Sequence, residues 1–258
     1  MLSTILRNLP SNKPELWRNF PRPFVRHLLS RPRREVVASV GDDLRMKLDL
    51  KDGIARSLYL YGTYDPAATS AIQSLLKPGH TFVDVGANIG AYSLMASRIV
   101  GPSGSVYCFE ASPRTAKNLA FNIALNQATN VVQAHCAVSD VSGTVELYDY
   151  DDPVDWGRPT LTFRPGVSKT IVKSVTLDTE LRGKQVNLLK IDVEGCDDRV
   201  VAGATKLLTR EDPPTVLCEG EPDCPAAQLL RGLGYSIEAM PHRSYFAPNF
   251  IAVRSRSR

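Results

Sequence analysis

The stretch TFVDVGANIG at residues 81–90 decides the fold of this chain. Its first five residues form an apolar run typical of a buried strand, and the glycines that follow allow a sharp turn into a helix. Gly86 and Gly90 let the backbone approach a ligand closely, and the free N–H groups at the start of that helix can bind an anionic group. The stretch therefore predicts a strand, a ligand-binding loop and a helix of a Rossmann-like fold.

The order of residues in this loop differs from a dinucleotide-binding fingerprint. That fingerprint is G-x-G-x-x-G, whereas here Asp84 precedes a single Gly86 and Asn88 occupies the place of the second glycine. An acid before the turn suits a ligand with a cationic amino-acid end, and a helix N-terminus suits the carboxylate of that ligand. These features favour S-adenosylmethionine over NAD as cofactor. They predict Asp84, Gly86, Asn88 and Gly90 as cofactor-binding residues.

The ends of the next two strands add two further candidates. Residues 105–109, SVYCF, read as a strand that ends at Glu110, and an acid at this position can accept both hydrogens of a ribose diol. A third strand over residues 131–136 is followed by Ala137, which is expected to border the adenine ring. An ordinary strand exit is the alternative interpretation of Ala137.

Six segments together resemble the FkbM family of S-adenosylmethionine-dependent methyltransferases. They are DVGANIG at 84–90, CFEASP at 108–113, NLAFN at 118–122, AVSD at 137–140, VTLD at 175–178 and LLKIDVEG at 188–195. The resemblance spans about residues 64–221, and it departs from the family at Cys196, which precedes Asp197 rather than the commoner glutamate. It implies methylation of a hydroxyl on a sugar, glycolipid or other secondary metabolite.

The rest of the chain continues the alternation of strands and helices, which predicts an α/β fold with a doubly wound sheet. The expected strands are 81–85, 105–109, 131–136, 186–192 and 215–219, and the expected helices are 66–76, 89–99, 113–126, 198–208 and 225–233. Strand-like runs at 144–148 and 168–176 interrupt the pattern, and runs at 235–240 and 250–253 predict a terminal antiparallel hairpin. Seven main strands ending in such a hairpin form the class I methyltransferase arrangement.

Three carboxylates follow the later strands. Asp192 and Glu194 come after the fourth parallel strand and Glu219 after the fifth, so they are expected to meet at one edge of the sheet. Neighbouring carboxylates raise one another's pKa, so one of them could act as the catalytic base, or the set could bind a divalent cation. Alternatively, Asp192 or Glu194 caps the next helix or fixes a loop by accepting hydrogen bonds from backbone N–H groups. We expect no metal, because no histidine or asparagine is placed by a motif to complete its coordination.

The acceptor pocket is expected where these strand exits meet the loop around Trp156 and the terminal hairpin. His242, in that hairpin, is a further candidate base, although a surface position is the more common role of such a histidine.

The composition favours one methyltransferase domain with an N-terminal appendage. The chain has 258 residues, 43% apolar and 22% charged, and we divide it into residues 1–62, a basic arm with a hairpin, and residues 63–258, the methyltransferase domain. The five cysteines include no C-x-x-C pair, which predicts reduced thiols in a cytoplasmic protein. No run has the length of a membrane span or the character of a signal peptide.

The basic arm is the main feature outside the resemblance. Residues 1–35 contain eight lysines and arginines against two glutamates, together with several apolar and aromatic side chains. Such a segment can contact an anionic membrane peripherally, bind nucleic acid or resemble an organelle targeting peptide, and packing against its own domain is the more common role of such an arm. Nucleic acid is the less favoured partner, and the sequence does not determine the oligomeric state.

The sequence therefore predicts a methyltransferase with a small-molecule or glycan hydroxyl as acceptor. An RNA or protein methyltransferase that docks through the arm is one alternative, and a non-catalytic module that binds the cofactor is another. An NAD-dependent oxidoreductase is the least favoured, because the turn lacks the second and third glycines of that fingerprint.

Overall fold

The computed structural model describes residues 35–41, 43–149, 160–162, 168–241 and 247–254. The basic arm up to residue 34, Trp156 and His242 lie outside the described residues, so the predictions made for them stay predictions. The chain divides into two compact units between Tyr64 and Asp65. The predicted boundary at residue 62 also stays a prediction, because most of the first segment is not described.

The first unit contains the predicted hairpin and one helix that was not predicted. Strands β1 (Glu35–Val40) and β2 (Leu44–Asp49) pair in antiparallel fashion. Helix α1 (Gly53–Tyr61) follows directly: the Asp52 carboxylate accepts a hydrogen bond from the N–H of Ala55 at 2.7 Å, and Gly62 ends the helix with φ of 72°. Both are ordinary cap residues, so the signal for α1 was present in the sequence.

The second unit is built on a seven-stranded sheet with the order β11-β12-β10-β9-β3-β4-β5. Its strands are β3 (Thr81–Val85), β4 (Ser105–Glu110), β5 (Val131–His135), β9 (Leu188–Ile191), β10 (Thr215–Glu219), β11 (Tyr235–Ala239) and β12 (Asn249–Arg254). Strand β12 lies between β10 and β11 and is antiparallel to both. The predicted class I methyltransferase fold, with seven main strands and a C-terminal antiparallel hairpin, is confirmed.

Seven helices lie in the described part of the second unit. They are α2 (Pro66–Leu75), α3 (Ala91–Val100), α4 (Pro113–Leu125), α5 (Leu177–Glu180), α6 (Asp197–Ala202), α7 (Thr205–Leu208) and α8 (Pro225–Gly232). Four of them, α2, α3, α4 and α8, correspond to predicted helices. Buried apolar side chains of β3, β9 and β10 form the middle of the core between the helices. In the described part of the chain, none of the helices combines the length and apolar character that crossing a membrane requires.

The single helix predicted over residues 198–208 is wrong, because the chain forms α6 and α7 instead. The backbone at Gly203 passes so close to Ser139 that a Cβ there would overlap the carbonyl oxygen of Ser139. A new helix then begins, and the Asp178 carboxylate accepts hydrogen bonds from the N–H groups of Lys206 and Leu207 at 2.9 and 2.8 Å. The aspartate of the VTLD segment therefore caps α7.

The two strand-like runs that interrupt the alternation form a separate small sheet. Strands β7 (Gly143–Asp149) and β8 (Ser168–Val175) pair in antiparallel fashion, and the short β6 (Ala137–Val138), which was not predicted, adds parallel to β8. The N–H of Ser139 donates to the carbonyl of Val175 at 2.9 Å. The AVSD and VTLD segments are therefore bonded to each other at the edge of this small sheet.

Candidate active site

The loop after β3 is fastened to the end of β4 by backbone hydrogen bonds. The N–H of Gly86 donates to the carbonyl of Phe109 at 3.0 Å, and the N–H of Asn88 donates to Oε2 of Glu110 at 2.8 Å. The loop turns through three residues with positive φ, Gly86 at 77°, Asn88 at 50° and Gly90 at 93°. The predicted ligand-binding loop is therefore formed, and its shape depends on the acid at the tip of the neighbouring strand.

Steric contacts explain why the loop requires both glycines. A Cβ on Gly86 would overlap the carbonyl oxygen of Asp192, and a Cβ on Gly90 would lie 2.6 Å from Cδ1 of Leu119. Real Cβ atoms do not approach other atoms so closely. The exits of β3 and β9 are therefore in direct backbone contact.

Glu110 is positioned to bind a ribose. Its side chain is buried, and Oε1 accepts a hydrogen bond from the N–H of Ser112 at 2.8 Å while Oε2 accepts the bond from Asn88. Burial raises the pKa of Glu110 to about 7, against the opposing effect of these two hydrogen bonds. Each carboxylate oxygen has a second lone pair, so the group can still accept two ribose hydroxyls.

The start of α3 suits the carboxylate of an amino-acid ligand. Gly90 is the N-cap residue of this helix, and no side chain in the described part of the chain forms the usual cap hydrogen bond there. The first N–H groups of a helix attract anions. S-adenosylmethionine requires an acceptor for its ribose hydroxyls and donors for its carboxylate. Glu110 offers the acceptor and the start of α3 offers the donors, so the residues present fit the predicted cofactor.

Asp84 has a different environment from the one expected. Its carboxylate is 0% exposed, Oδ2 accepts a hydrogen bond from Oγ of Ser93 at 2.7 Å, and Oδ1 lies 3.2 Å from Nζ of Lys190. The predicted contact with the cationic end of the cofactor assumed an open carboxylate. This geometry does not support that contact, because protein groups already compensate the charge of Asp84.

Ala137 lies in β6, and its side chain packs with Leu147 and Val172 in a small buried cluster. Ala111, which directly follows Glu110, packs against the same cluster. Ala137 is thus close to the turn after β4, but its side chain has a structural role, and its contact with adenine stays a prediction.

The three predicted carboxylates come together at the edge of the sheet. One oxygen each from Asp192, Glu194 and Glu219 lies within 4.8 Å of the others. We call these three residues the acidic cluster, and its predicted convergence is confirmed. Helix α6 begins at Asp197 with Cys196 as its N-cap residue, so neither Asp192 nor Glu194 occupies the N-cap position of this helix.

The three carboxylates differ in electrostatic state. Burial, the charge of Asp192 and a hydrogen bond with Asp192 raise the pKa of Glu219 to about 9. This shift favours the protonated form of Glu219, in which it can donate to Asp192. Asp192 instead lies 3.2 Å from Nζ of Lys190, which favours its ionised form. Of this pair, Asp192 is the group able to accept a proton.

Lys190 is the residue of this site that sequence reasoning missed. It is 5% exposed in β9, and its ammonium donates to the carbonyl of Gly86 at 3.0 Å and pairs with Asp84 and Asp192, each at 3.2 Å. Burial alone would lower the pKa of Lys190, but the charges of Asp192 and Asp84 outweigh it and hold that pKa above its ordinary value. A lysine inside the apolar run LLKI was the available signal.

Glu194 is held in an unusual backbone conformation. Its φ is 53°, a region that non-glycine residues seldom adopt and that costs free energy. Oγ1 of Thr160, which is buried, donates to the carbonyl of Glu194 at 2.9 Å, and Oδ1 of Asp197 accepts from the N–H of Val193 at 3.1 Å. Thr160 belongs to the same connection as Trp156, and no sequence signal identified it.

The acidic cluster is compact enough to bind a divalent cation, because carboxylate oxygens at such separations can share one ion. The expectation that no metal is used stays a prediction.

Comparison with known proteins agrees with these features. A seven-stranded sheet with an antiparallel β12 between β10 and β11, and a glycine loop joined to a strand-end acid, define a class I methyltransferase. Residues 84–251 match the Methyltransferase FkbM domain, so the chain belongs to the FkbM methyltransferase family. S-adenosylmethionine, the predicted cofactor, agrees with this family assignment.

Two curated relatives are similar over part of their length. Methyltransferase sdnD of Sordaria araneosa is 32% identical over 49% of this chain and 61% of the relative. The 31-O-demethyl-FK506 methyltransferase FkbM of Streptomyces tacrolimicus is 28% identical over 50% of this chain and 60% of the relative. The chain thus spans about three fifths of the length of these relatives.

Two solved structures are similar to this chain at low sequence identity. Precorrin-6y C5,15-methyltransferase from Geobacter metallireducens is 16% identical with a TM-score of 0.46, covering 72% of this chain and 86% of that one. A SAM-dependent O-methyltransferase from Thermotoga maritima is 16% identical with a TM-score of 0.48, covering 75% and 66%.

Proposed function

We propose that this methyltransferase transfers the methyl group to a hydroxyl oxygen, with Asp192 as the base. The observation that supports this most is the position of Asp192. Its backbone touches the cofactor loop at Gly86, and its side chain pairs with Lys190 at the exit of β9. An ionised carboxylate beside the cofactor loop is the group that a hydroxyl acceptor requires, because general base catalysis increases the nucleophilicity of the oxygen.

The residues of the acidic cluster have separate roles in this proposal. The bound cofactor supplies a methyl group on a positively charged sulfur. Asp192 would take the hydroxyl proton of the acceptor as the acceptor oxygen receives the methyl group. Glu219, as a neutral acid, donates to Asp192 and fixes its orientation, and Glu194 completes the rim that orients the acceptor. Alignment of the reacting atoms supplies much of the rate, about 7 to 11 kcal/mol in favourable systems.

The acceptor class is a sugar, a glycolipid or another secondary metabolite that carries a hydroxyl. The support is the similarity to a relative whose name is 31-O-demethyl-FK506 methyltransferase, which describes methylation at oxygen in that protein. Because the chain covers only 60% of that relative, the acceptor itself is part of the proposal.

The experiment uses S-adenosylmethionine labelled with ¹³C in its methyl group. The purified chain is incubated with fractionated extracts of small metabolites, glycolipids, RNA and protein, and each product is examined by carbon NMR. We expect the label in a small-molecule or glycolipid fraction, at a chemical shift typical of a methyl ether. Label on nitrogen or carbon, or label only in RNA or protein, would contradict the proposal, and no transfer to any fraction would favour a binding module.

The basic arm belongs to a second part of the proposal. Its charge favours peripheral contact with an anionic membrane, which would bring the enzyme to a lipid-linked acceptor. Co-sedimentation with anionic and neutral vesicles, with and without residues 1–34, tests this. We expect binding to anionic vesicles that disappears with the arm and at high salt, whereas equal binding by both chains would contradict it.

A further inference from the structure

Lys190 lies between the two halves of the site. Strands β3 and β9 are parallel neighbours, and their register places Lys190 directly beside Asp84. From there its side chain reaches the carbonyl of Gly86 in the cofactor loop and the carboxylate of Asp192 in the acidic cluster. One ammonium therefore contacts both the group of residues assigned to the cofactor and the group assigned to the acceptor.

The contacts of this ammonium match its chemistry. Nζ of Lys190 donates a hydrogen bond to the carbonyl of Gly86 at 3.0 Å and forms ion pairs with carboxylate oxygens of Asp84 and Asp192, each at 3.2 Å. The ring of Tyr92 lies 5.4 Å from the same nitrogen and faces it as a cation–π partner. The side chain is buried, so its position is set by these partners rather than by solvent.

Asp84 depends on Lys190 for its charge balance. Oδ1 of Asp84 is buried, and in the described part of the chain its neighbouring cation is the Lys190 ammonium. A buried carboxylate left without a counter-charge is strongly destabilising. The position of the ammonium is thus fixed on the side of β3, and the same nitrogen lies 3.2 Å from Oδ2 of Asp192.

We propose that Lys190 is a positioning residue that couples the cofactor loop to the base. It holds the Gly86 carbonyl in the conformation that binds the cofactor, and it holds the Asp192 carboxylate toward the methyl group. The part of the inference that concerns Asp192 rests on the proposed function, whereas the part that concerns the loop does not. Lys190 itself touches neither reacting atom, so its effect on turnover passes through Asp192.

The test requires a variant that folds. Lys190→Met alone leaves the buried Asp84 without its cation, so the informative variant is the double variant Asp84→Asn/Lys190→Met, with Asp84→Asn as its reference. Lys184→Met is the matched control, because Nζ of Lys184 also lies over an aromatic ring, 4.8 Å from the centroid of Tyr107, but pairs with no residue of the site. Thermal melting confirms that each variant is folded.

The first measurement is calorimetric binding of S-adenosylhomocysteine, which requires no acceptor. We expect the dissociation constant for S-adenosylhomocysteine to be about tenfold higher in the double variant than in Asp84→Asn. This is the range for the loss of one charge-assisted hydrogen bond, here the bond from Lys190 to the carbonyl of Gly86. The constant of Lys184→Met should equal that of the natural chain. Equal affinity in Asp84→Asn and the double variant overturns the proposal, whatever the acceptor.

The second measurement is turnover with the acceptor found by methyl labelling. We expect kcat to fall by about 10²-fold from Asp84→Asn to the double variant, as for a misplaced catalytic group, with the KM for the acceptor nearly unchanged. Adding Asp192→Asn should then cause little further loss, because the two residues act as one unit. If the losses in kcat from Lys190→Met and from Asp192→Asn multiply, as they do for independent residues, the coupling is overturned. Normal turnover in Asp192→Asn alone refutes the proposed base and this coupling, while the binding measurement still decides the role of Lys190 in the loop.

Discussion

Gly86 and Asp192 are in backbone contact, and the space for a side chain at Gly86 is occupied by the carbonyl oxygen of Asp192. These residues come from different motifs, DVGANIG and KIDVEG, at the exits of the adjacent strands β3 and β9. The contact joins the cofactor loop to the first carboxylate of the acidic cluster. It explains physically why the two motifs occur together in one site.

Gly86→Ala is expected to damage both stability and cofactor binding. An alanine at φ of 77° carries a strain of about 1 to 3 kcal/mol, and here its Cβ would also force the exits of β3 and β9 apart. Chemical denaturation and calorimetry with S-adenosylhomocysteine measure the two effects.

Gly183→Ala is the matched control for this substitution. Gly183 has a similar φ of 73°, but no atom lies within 4 Å of the position that its Cβ would occupy. Its variant should therefore show the strain alone and retain full cofactor affinity. The contact with Asp192 is unimportant if both variants lose the same stability and bind the cofactor equally well.

Cofactor affinity is expected to depend on pH through Glu110. The pKa of Glu110 rises from 4.5 to about 7 on folding, and ribose hydroxyls donate to its ionised form. Binding should therefore tighten as the pH rises from 6 to 8, by up to about tenfold, and then level off. The same shift makes the stability of the cofactor-free protein depend on pH. Because the folded state binds the proton of Glu110 more tightly than the unfolded state does, the free energy of unfolding falls as the pH rises from 4.5 to about 7.

Calorimetry at several pH values, with Glu110→Gln as control, checks the binding effect. The glutamine variant should bind more weakly and without this pH dependence. If the affinity of the natural chain for the cofactor does not change over this pH range, Glu110 does not bind the ribose.

Thr160→Val is expected to lower turnover through the backbone of Glu194. The substitution keeps the shape of the side chain but removes the hydrogen bond that holds Glu194 at its positive φ. We expect kcat to fall by about tenfold with cofactor affinity nearly unchanged, and Thr160→Ser to restore most of the activity. The melting temperature should also fall, because the same hydroxyl accepts a hydrogen bond from the N–H of Thr162 at 3.1 Å. Thr162→Val, whose hydroxyl lies 3.8 Å from Sγ of Cys196, is the neighbouring control. Full activity in Thr160→Val would show that Glu194 needs no such support.

Turnover is expected to survive treatment with a chelator. The Lys190 ammonium offsets part of the charge that Asp84 and Asp192 carry together, and the raised pKa of Glu219 favours its neutral form, so the acidic cluster attracts a cation less than three ionised carboxylates would. Dialysis against EDTA followed by an activity assay decides this. Loss of activity that magnesium restores would show that the cluster binds a metal.

The fold could be predicted because its signals are local. Strands β3 and β10 have the bounds expected from their apolar runs, and the glycine loop with its following helix lies where the turn residues place it. The convergence of Asp192, Glu194 and Glu219 also followed from topology, since the carboxyl ends of parallel strands share one edge.

The chemical state of the site could not be predicted, because it depends on contacts between distant parts of the chain. Whether Asp84 faces a ligand or Lys190 is decided by the register of β3 against β9. Likewise, the protonation of Glu219 follows from its burial next to Asp192, and the conformation of Glu194 from a hydroxyl in the connection between β7 and β8. No periodicity or spacing in the sequence reports such neighbours.

The most direct test of the account is the turnover of three isosteric variants at saturating acceptor, compared with their affinity for the cofactor. Asp192→Asn should lower kcat by about two to four orders of magnitude, because it removes the base, and Glu194→Gln and Glu219→Gln should lower it less. The dissociation constant for S-adenosylhomocysteine should barely change in any of them. If all three variants keep near-normal turnover, or if Asp192→Asn is the least affected, the assignment of Asp192 as the base is wrong.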